Sequence, residues 1–289
     1  MVLLVGLSAT ACQDREPSTS PLEPPPSATP ASPSEHPSTT RPVSCPHRGG
    51  WTIEDPRITE SSGLARSQVH PGVLYTHNDR GTPPNLFAID ASGTRAVLRL
   101  DATAVDWEDV AITPDAKIWV ADLGDNERVR PTVQVNVLDE PEVLVSASVS
   151  AATYDFRYPD GPQDAEALLI DPRDDRVYVV TKDLKAGRIY QAPARLDTEK
   201  PNLLRYLGAA PPSITGGDFS PKGDRVVLRN QARAFFYDEI GGAPTEMTLP
   251  SQRQGESVTF TADGGHVLVG SEGVDSTILC AETPPRGEQ

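Results

Sequence analysis

Five acidic residues recur at a similar place along this sequence, and carboxylates in such a pattern could bind a cation or transfer a proton. Each lies at or near the start of a short apolar segment. A turn rich in Pro, Asp and Gly follows, then a second segment rich in β-branched residues. The five acids are Glu60, Glu108, Glu166, Asp218 and Glu256. Asp and Glu are depleted in β-strands, so strand propensity does not explain their positions.

The second apolar segment of each repeat ends in further polar residues. These are Asn78 and Asp79, Asp122, Lys182 and Asp183, Arg229 and Asn230, and Glu272. Most of them carry oxygen atoms, which are the ligands that Ca²⁺ and other hard divalent cations prefer. Lys182 and Arg229 could neutralise some of the acids. The sequence therefore predicts a polar layer beside the recurring carboxylates.

The segments between these residues predict an all-β fold. They are short, rich in Val, Ile, Tyr and Phe, and bounded by Gly, Pro and Asp, which is typical of antiparallel strands. Five repeats of roughly 40 to 60 residues fit a β-propeller of five blades, each with about four strands. The last repeat is one strand short, and residues around 45–53 are expected to supply it. A six-bladed ring is the alternative, because the long segment 139–154 leaves room for a divergent repeat.

In a propeller, the first strand of each blade lines a central channel, so equivalent residues form a ring around its axis. The five acids are therefore expected to converge on one channel. Carboxylates crowded in this way need protons, cations or hydrogen-bond donors as compensation. The predicted ligands for Ca²⁺ or another divalent cation are Glu60, Asn78, Asp79, Glu108, Asp122, Glu166, Asp218 and Glu256.

Two functional interpretations of this channel remain open. In the first, the protein is a metal-dependent hydrolase of a small ester, lactone, phosphate or glycoside. Its catalytic residues would be Glu108 or Glu166 as base, Lys182 or Arg229 stabilising charge that develops on the substrate, and His77 at the same mouth. In the second, the acids bind backbone amides and fix the ring, and the propeller is a non-enzymatic module that binds a ligand or a protein.

Several short motifs carry a resemblance to a known group of proteins. They are the SGLA run at 62–65, the HND cluster at 77–79 and the D-x-GDN cluster at 122–126, together with the acids near the strand starts. The pattern resembles bacterial β-propeller proteins of the broad group that includes the gluconolactonase-like and phytase-esterase-like propellers. The resemblance covers residues 45–280 and implies the fold. It does not select an activity, because propellers host lactonases, phosphatases, glycosidases and binding modules alike.

The N-terminal region predicts export and a lipid anchor. An apolar run over residues 1–7 and four small residues lead into Cys12, which resembles a bacterial lipobox with its lipid-accepting cysteine. The run is short and lacks a preceding Lys or Arg, which indicates a truncated signal sequence over 1–12. Residues 13–43, rich in Pro, Ser and Thr, predict a disordered stalk. The propeller is expected over 44–281 and a polar tail over 282–289, with the domain held on the extracytoplasmic side of the membrane.

Charge and cysteine content limit the possible partners and disulfide bonds of the protein. With 41 acidic and 26 basic residues, the chain has a net charge of −15 and no basic surface for a phosphate backbone, which argues against binding to nucleic acid. If Cys12 carries lipid, Cys45 and Cys280 form the one remaining pair of the three cysteines. An exported location favours a disulfide between them, and two separate thiols are the alternative. The expected partners are thus the membrane, through the lipid on Cys12, and a small molecule or envelope component.

Overall fold

The computed structural model describes Cys45 and residues 50–286, and within this range the chain is all-β. The predicted signal sequence, the lipidation site Cys12 and the predicted stalk lie outside the described residues. The strands are β1 (Trp51–Thr52), β2 (Ser61–Arg66), β3 (Leu74–Asn78), β4 (Asn85–Asp90), β5 (Gly93–Leu100), β6 (Trp107–Ile112), β7 (Lys117–Asp122), β8 (Val133–Asp139), β9 (Ala147–Val149), β10 (Ala152–Arg157), β11 (Ala165–Asp171), β12 (Arg176–Thr181), β13 (Gly187–Gln191), β14 (Asn202–Leu203), β15 (Arg205–Ala210), β16 (Gly216–Phe219), β17 (Val226–Arg229), β18 (Arg233–Tyr237), β19 (Thr245–Thr248), β20 (Gly255–Phe260), β21 (His266–Ser271) and β22 (Thr277–Glu282). Among these residues, no helix is long and apolar enough to span a membrane.

The strands form five small sheets arranged as the blades of a propeller, which confirms the predicted fold class and blade number. From the channel outward, the blades are β2-β3-β4-β5-β9, β6-β7-β8-β10-β14, β11-β12-β13-β15, β16-β17-β18-β19 and β20-β21-β22-β1. The five inner strands contact one another in sequence order, and β20 contacts β2. The inner strands therefore enclose one channel.

The segment 139–154, which left room for a sixth blade, extends two existing blades instead. Strand β9 pairs in parallel with β5 at the outer edge of the first blade. Strand β10 pairs antiparallel with β8 in the second blade. The six-bladed alternative is therefore wrong.

The ring is closed by the N-terminal strand, as predicted. Strand β1 pairs antiparallel with β22, with Trp51 opposite Ile278, and so supplies the outer strand of the last blade. The Cys45–Cys280 disulfide joins the same two segments, with the two Cα atoms 5.6 Å apart. Both links tie the start of the described domain to its end.

Apolar side chains between neighbouring blades hold the inner strands in place. Between the third and fourth blades, for example, Leu169 and Val180 belong to the same buried cluster as Phe219 and Leu228. Truncating buried side chains of this size to alanine typically costs about 2–5 kcal/mol. The blades thus form a rigid frame for the polar residues of the channel.

Candidate functional site

The register of the inner strands decides which polar residues meet at the channel. The first residue of each inner strand pairs with the last residue of the second strand. These pairs are Ser61–Asn78, Trp107–Asp122, Ala165–Thr181, Gly216–Arg229 and Gly255–Ser271. A β-bulge follows the pair in every blade except the fourth. Because a bulge pushes residues out of the ladder and re-aims them, it can free side chains for a site.

Three of the five predicted ring acids lie in these bulges. Glu108, Glu166 and Glu256 each follow the first residue of an inner strand, and all three are buried. A second level consists of the residue immediately before the strand, which is Asp106 in the second blade and Asp164 in the third. The backbone carbonyls of both residues accept N–H bonds from the segment after the second strand. The channel therefore carries two offset levels of carboxylates.

We call the resulting group the acidic mouth. Its members are Asp79, Asp106, Glu108, Asp164, Glu166, Lys182, Glu256 and Glu272. Seven are carboxyl groups and one is an ammonium group. All lie at or just outside the N-terminal ends of the inner strands.

Glu60 and Asp218 do not join the bulge acids, and the expectation of a single five-membered ring is wrong in this respect. Glu60 precedes its inner strand by one residue, is therefore equivalent to Asp106, and is exposed. Asp218 belongs to the fourth blade, which has no bulge. Its Oδ2 accepts a hydrogen bond from the Phe260 amide at 2.8 Å, near the C-terminal ends of the inner strands.

Two overlapping triads in the acidic mouth have a spacing that suits a metal ion. One oxygen from each of Asp79, Asp106 and Glu108 lies within 4.8 Å of the others. In a second triad, one oxygen from each of Glu108, Asp164 and Glu166 also lies within 4.8 Å of the others. Two buried oxygen atoms of the mouth, Asp106 Oδ1 and Glu256 Oε2, have no hydrogen-bond donor. Donors from the protein therefore do not compensate these two acids fully.

Gly124 makes room for the first triad. A Cβ atom at this position would lie 2.3 Å from Glu108 Oε1 and 2.5 Å from Asp106 Oδ2, closer than real contacts allow. The glycine of the D-x-GDN motif is thus required by the close approach of two carboxylates rather than by a turn.

Burial and mutual repulsion raise the pKa values of the acids at the mouth. Burial raises the pKa of Asp106 to about 7, and the neighbouring carboxyl group of Asp79 contributes. Burial likewise raises the pKa of Glu166 to about 8 and that of Glu272 to about 7. For Glu108, burial and the neighbouring Glu166 raise the pKa well above its usual range. The mouth therefore holds protons near neutral pH when no cation is bound.

Lys182 is the basic side chain within the acidic mouth; Arg80 and Arg229 also lower the pKa values of Asp106 and Glu256, respectively, from outside this group. Lys182 Nζ lies 2.5 Å from Glu166 Oε1. Burial opposes its charge, but the carboxylates around it outweigh burial and raise its pKa. One ammonium group cannot balance seven carboxyl groups.

Asn78 and Asp122, two of the predicted metal ligands, hold the backbone that enters the inner strands. Asn78 Oδ1 accepts N–H bonds from Thr59 at 2.9 Å and Glu60 at 3.1 Å. Asp122 accepts the equivalent bonds from residues 105 and 106. Asp122 also pairs with Arg130 at 2.7 Å. These two side chains therefore fix the backbone that carries the acids of the mouth.

Arg229 and His77, two predicted catalytic residues, are buried in the walls of the ring. Arg229 donates to four backbone carbonyls, including those of Ser257 at 3.0 Å and Gly270 at 3.1 Å, so it ties the fourth blade to the fifth. Burial lowers its pKa to about 10. His77 packs edge-on against Trp107, with ring centroids 5.7 Å apart, and burial lowers its pKa. Neither residue belongs to the two triads, and His77 Nε2 is buried without a hydrogen-bond partner.

Asp106 and Asp164 were not among the predicted ligands, although the sequence contains a signal for them. Both stand two residues before a bulge glutamate, in the D-x-E patterns at 106–108 and 164–166. Asp109 was also overlooked. It lies deeper in the channel and accepts N–H bonds from Val110 at 2.8 Å and Leu168 at 3.0 Å, which links neighbouring inner strands.

Comparisons with known proteins give likenesses of fold only. No family model and no curated protein matches the chain. A solved structure of hydrazine synthase from Kuenenia stuttgartiensis has a TM-score of 0.43 and 16% identity; the match covers 74% of this chain and 56% of that one. A gluconolactonase from Xanthomonas campestris has a TM-score of 0.46 and 12% identity, with 78% and 87% covered. The chain thus spans little more than half of the first structure. At these scores the assignment of five blades rests on the strand pairing itself.

Proposed function

We propose that the acidic mouth binds a divalent cation and that the protein hydrolyses a small neutral ester or lactone there. The observation that carries the proposal is the convergence of Asp79, Asp106 and Glu108, with one buried oxygen of Asp106 left without a donor.

The charge balance of the mouth supports a bound cation. No ion pair to Asp79, Asp106 or Glu108 is present among the residues that the structure describes. Carboxylates removed from water at this spacing need compensation. Their donor set consists of oxygen atoms, which suits Ca²⁺ or another hard divalent cation. Glu108 belongs to both triads and is the central ligand of this proposal.

A cation held by these residues supplies Lewis-acid polarisation of a carbonyl oxygen and lowers the pKa of a bound water molecule. The side chains of the mouth supply the remaining roles. Lys182, oriented by Glu166, would stabilise negative charge on the carbonyl oxygen. Glu256 Oε2 would accept a proton from a water molecule while the oxygen of that water forms a bond to the acyl carbon. Glu256 would then return the proton to the leaving oxygen when the carbon–oxygen bond breaks.

The same charge balance favours a neutral substrate. Seven carboxyl groups and one lysine repel a phosphate ester unless several cations intervene. An ester or a lactone carries no such charge and gains negative charge only as water attacks. Arg229 and His77 have no role in this proposal because both side chains are buried in the walls, where Arg229 donates to backbone carbonyls and His77 packs against Trp107.

Hydrolysis assays on the full chain test the proposal. We expect ester or lactone hydrolysis that a chelator abolishes and a divalent cation restores, with phosphates and glycosides as comparison substrates. Glu256→Gln should lower kcat by roughly 10²–10⁴ with little change in KM, because a general base acts in the transition state. Glu282→Gln, at the exposed end of β22, is the matched control.

The outcomes separate the competing functions. Cation-dependent stability without hydrolysis of any of the four substrate classes would contradict catalysis and favour a binding propeller. Stability that does not respond to chelation would contradict the cation site and leave the acids with a structural role.

We also propose that Cys12 carries a lipid and that residues 13–43 form a stalk that holds the propeller outside the cytoplasmic membrane. The disulfide supports this proposal, since such bonds persist in oxidising compartments. We expect Cys12→Ser to move the protein from the membrane fraction to the soluble fraction of its native host. Mass spectrometry of the N-terminal peptide should find an acylated Cys12, and an unmodified peptide would contradict the anchor.

A further inference from the structure

A cavity lies at the end of the channel opposite the acidic mouth, where the inner strands finish. We call it the far cavity. Its volume is about 90 Å³, which holds a few water molecules or one small organic molecule. Its walls include Arg66, Ile112, Ile170, Asp218, Phe219 and Phe260. All five blades contribute to it, so it lies on the axis of the propeller.

Among the described residues that line this cavity, Arg66 is the one basic side chain. It is partly buried, and among the described residues it forms no ion pair. Its single hydrogen bond in the same range runs from Nη1 to the Ser67 carbonyl at 3.2 Å. A guanidinium group carries five N–H donors. Most of its donors are therefore available to a molecule in the cavity.

Asp218 faces the same space with the opposite charge. Its Oδ2 accepts bonds from Thr259 Oγ1 at 2.9 Å and from the Phe260 amide at 2.8 Å, which hold the carboxyl group in position. No ion pair joins it to Arg66, although both side chains line the cavity. A fixed acceptor and a cation thus stand apart across a small space.

We propose that the far cavity binds a small zwitterion with an ammonium and a carboxylate group, such as an α-amino acid. The carboxylate would pair with Arg66 and the ammonium group with Asp218. A simple anion would be repelled by Asp218, and a simple cation by Arg66. Ile112, Ile170 and Phe219 would contact a short apolar side chain. This proposal needs neither the cation nor the chemistry of the acidic mouth.

Calorimetric titration of the full chain tests the proposal with glycine, L-alanine, acetate and methylammonium as probes. A chelator present throughout keeps divalent cations from the acidic mouth. We expect glycine and alanine to bind at least about tenfold more tightly than the two singly charged probes, because only a zwitterion makes both charge-assisted contacts. Arg66→Gln should weaken glycine binding by about tenfold to a hundredfold. Arg95→Gln, at an exposed ion pair with Asp90, should leave it unchanged.

Three results would overturn the proposal. Acetate binding as tight as glycine binding would show a plain anion site. An absence of binding by all four probes would show a cavity that holds water. Unchanged glycine affinity in Arg66→Gln would place the ligand elsewhere. Asp218→Asn should weaken glycine but not acetate; if this variant fails to fold, Arg66→Gln and the probe series still decide.

Discussion

The two ends of the channel are built by the same five inner strands and differ in their balance of charge. At the acidic mouth, bulges direct several carboxyl groups inward, where Lys182 pairs with Glu166 and the carboxyl groups outnumber the basic side chains. At the far cavity, one guanidinium faces one carboxyl group. An excess of buried acids calls for a cation from solution, whereas a separated pair of opposite charges calls for a ligand that carries both. The number of acids alone would not distinguish a cation site from a site for a ligand that carries both charges.

A related contrast separates acids with different partners. Asp122 and Asp125 are as buried as Asp106, but both oxygens of each accept backbone N–H bonds. Asp106 and Glu256 each retain an oxygen without a donor. Donor count, rather than burial, therefore distinguishes structural acids from candidate ligands in this channel.

Opening the ring should lower the stability of the whole fold, which carries both ends of the channel, and produce the largest effect on stability. In the chain-entropy model, the disulfide across 235 residues stabilises the fold by about 5 kcal/mol. We expect Cys280→Ser to lower the free energy of unfolding in denaturant by up to this amount. The cation affinity of the folded fraction should be unchanged. Cys12→Ser is the control, and a loss below about 1 kcal/mol in Cys280→Ser would contradict the closing role of the bond.

Asp122→Ala tests whether this residue fixes the backbone near the acidic mouth or binds the cation itself. Removing one partner of a buried ion pair costs about 3–5 kcal/mol, so we expect a loss of stability of this order. Cation affinity at a temperature where the variant is folded should stay within about threefold, since its carboxylate faces the backbone. Asp139→Ala, at an exposed pair with Lys117, should cost under about 1 kcal/mol. Lost affinity with unchanged stability would instead make Asp122 a ligand.

The pH dependence of stability should differ with and without cation. In the unfolded chain these carboxyl groups ionise near pH 4, whereas Asp106 and Glu166 retain protons to about pH 7 and 8 in the fold. Between these values the folded state binds more protons, so the free energy of unfolding falls as pH rises. We expect the Tm of metal-free protein to fall from about pH 5 to pH 8.

A bound cation should oppose this fall. At a concentration a hundredfold above its Kd, the cation should add about 2.7 kcal/mol, with the largest gain at high pH, where protons no longer compete with it. Glu166→Gln should flatten the metal-free profile. A Tm that is independent of both pH and cation over this range would contradict an uncompensated mouth.

Gly124→Ala should impair the acidic mouth and spare the far cavity. The added methyl group overlaps Glu108 and Asp106, and overpacking of this kind costs about 1–3 kcal/mol. We expect thermal shifts with cation to disappear while glycine binding persists. Gly208→Ala, where a Cβ would meet no atom within 4 Å, is the matched control. A normal cation-dependent shift in Gly124→Ala would show that the first triad does not bind the cation.

Much of the fold could be predicted from the sequence, because strand length, turn residues and repetition are local properties. The five blades and the closing strand follow from them. The membership of the site could not be predicted as well. Glu60 and Glu108 look equivalent as acids near strand starts, but the bulge after Trp107 and the pairing of Ser61 with Asn78 place them on different levels. Register and bulges depend on pairing across strands, which spacing along the chain does not reveal.

Asp218 and Arg229 illustrate the same limit. Each matches the repeat by residue type, yet the unbulged fourth blade places Asp218 near the far cavity. The side chain of Arg229 turns towards backbone carbonyls between two blades. Only the packed ring determines whether a polar side chain meets the channel or the wall.

Calorimetric titration of Ca²⁺ into metal-free protein tests the central claim most directly. The variants are Asp106→Asn, which alters a carboxylate of the first triad, and Asp174→Asn, which alters an exposed turn acid. We predict saturable binding to wild type and to Asp174→Asn, and an affinity at least about tenfold lower in Asp106→Asn, since a charged ligand is lost. Equal affinities in all three proteins, or no binding to wild type by Ca²⁺ or by Mg²⁺, Mn²⁺ and Zn²⁺ tested in the same way, would contradict a cation site at the acidic mouth.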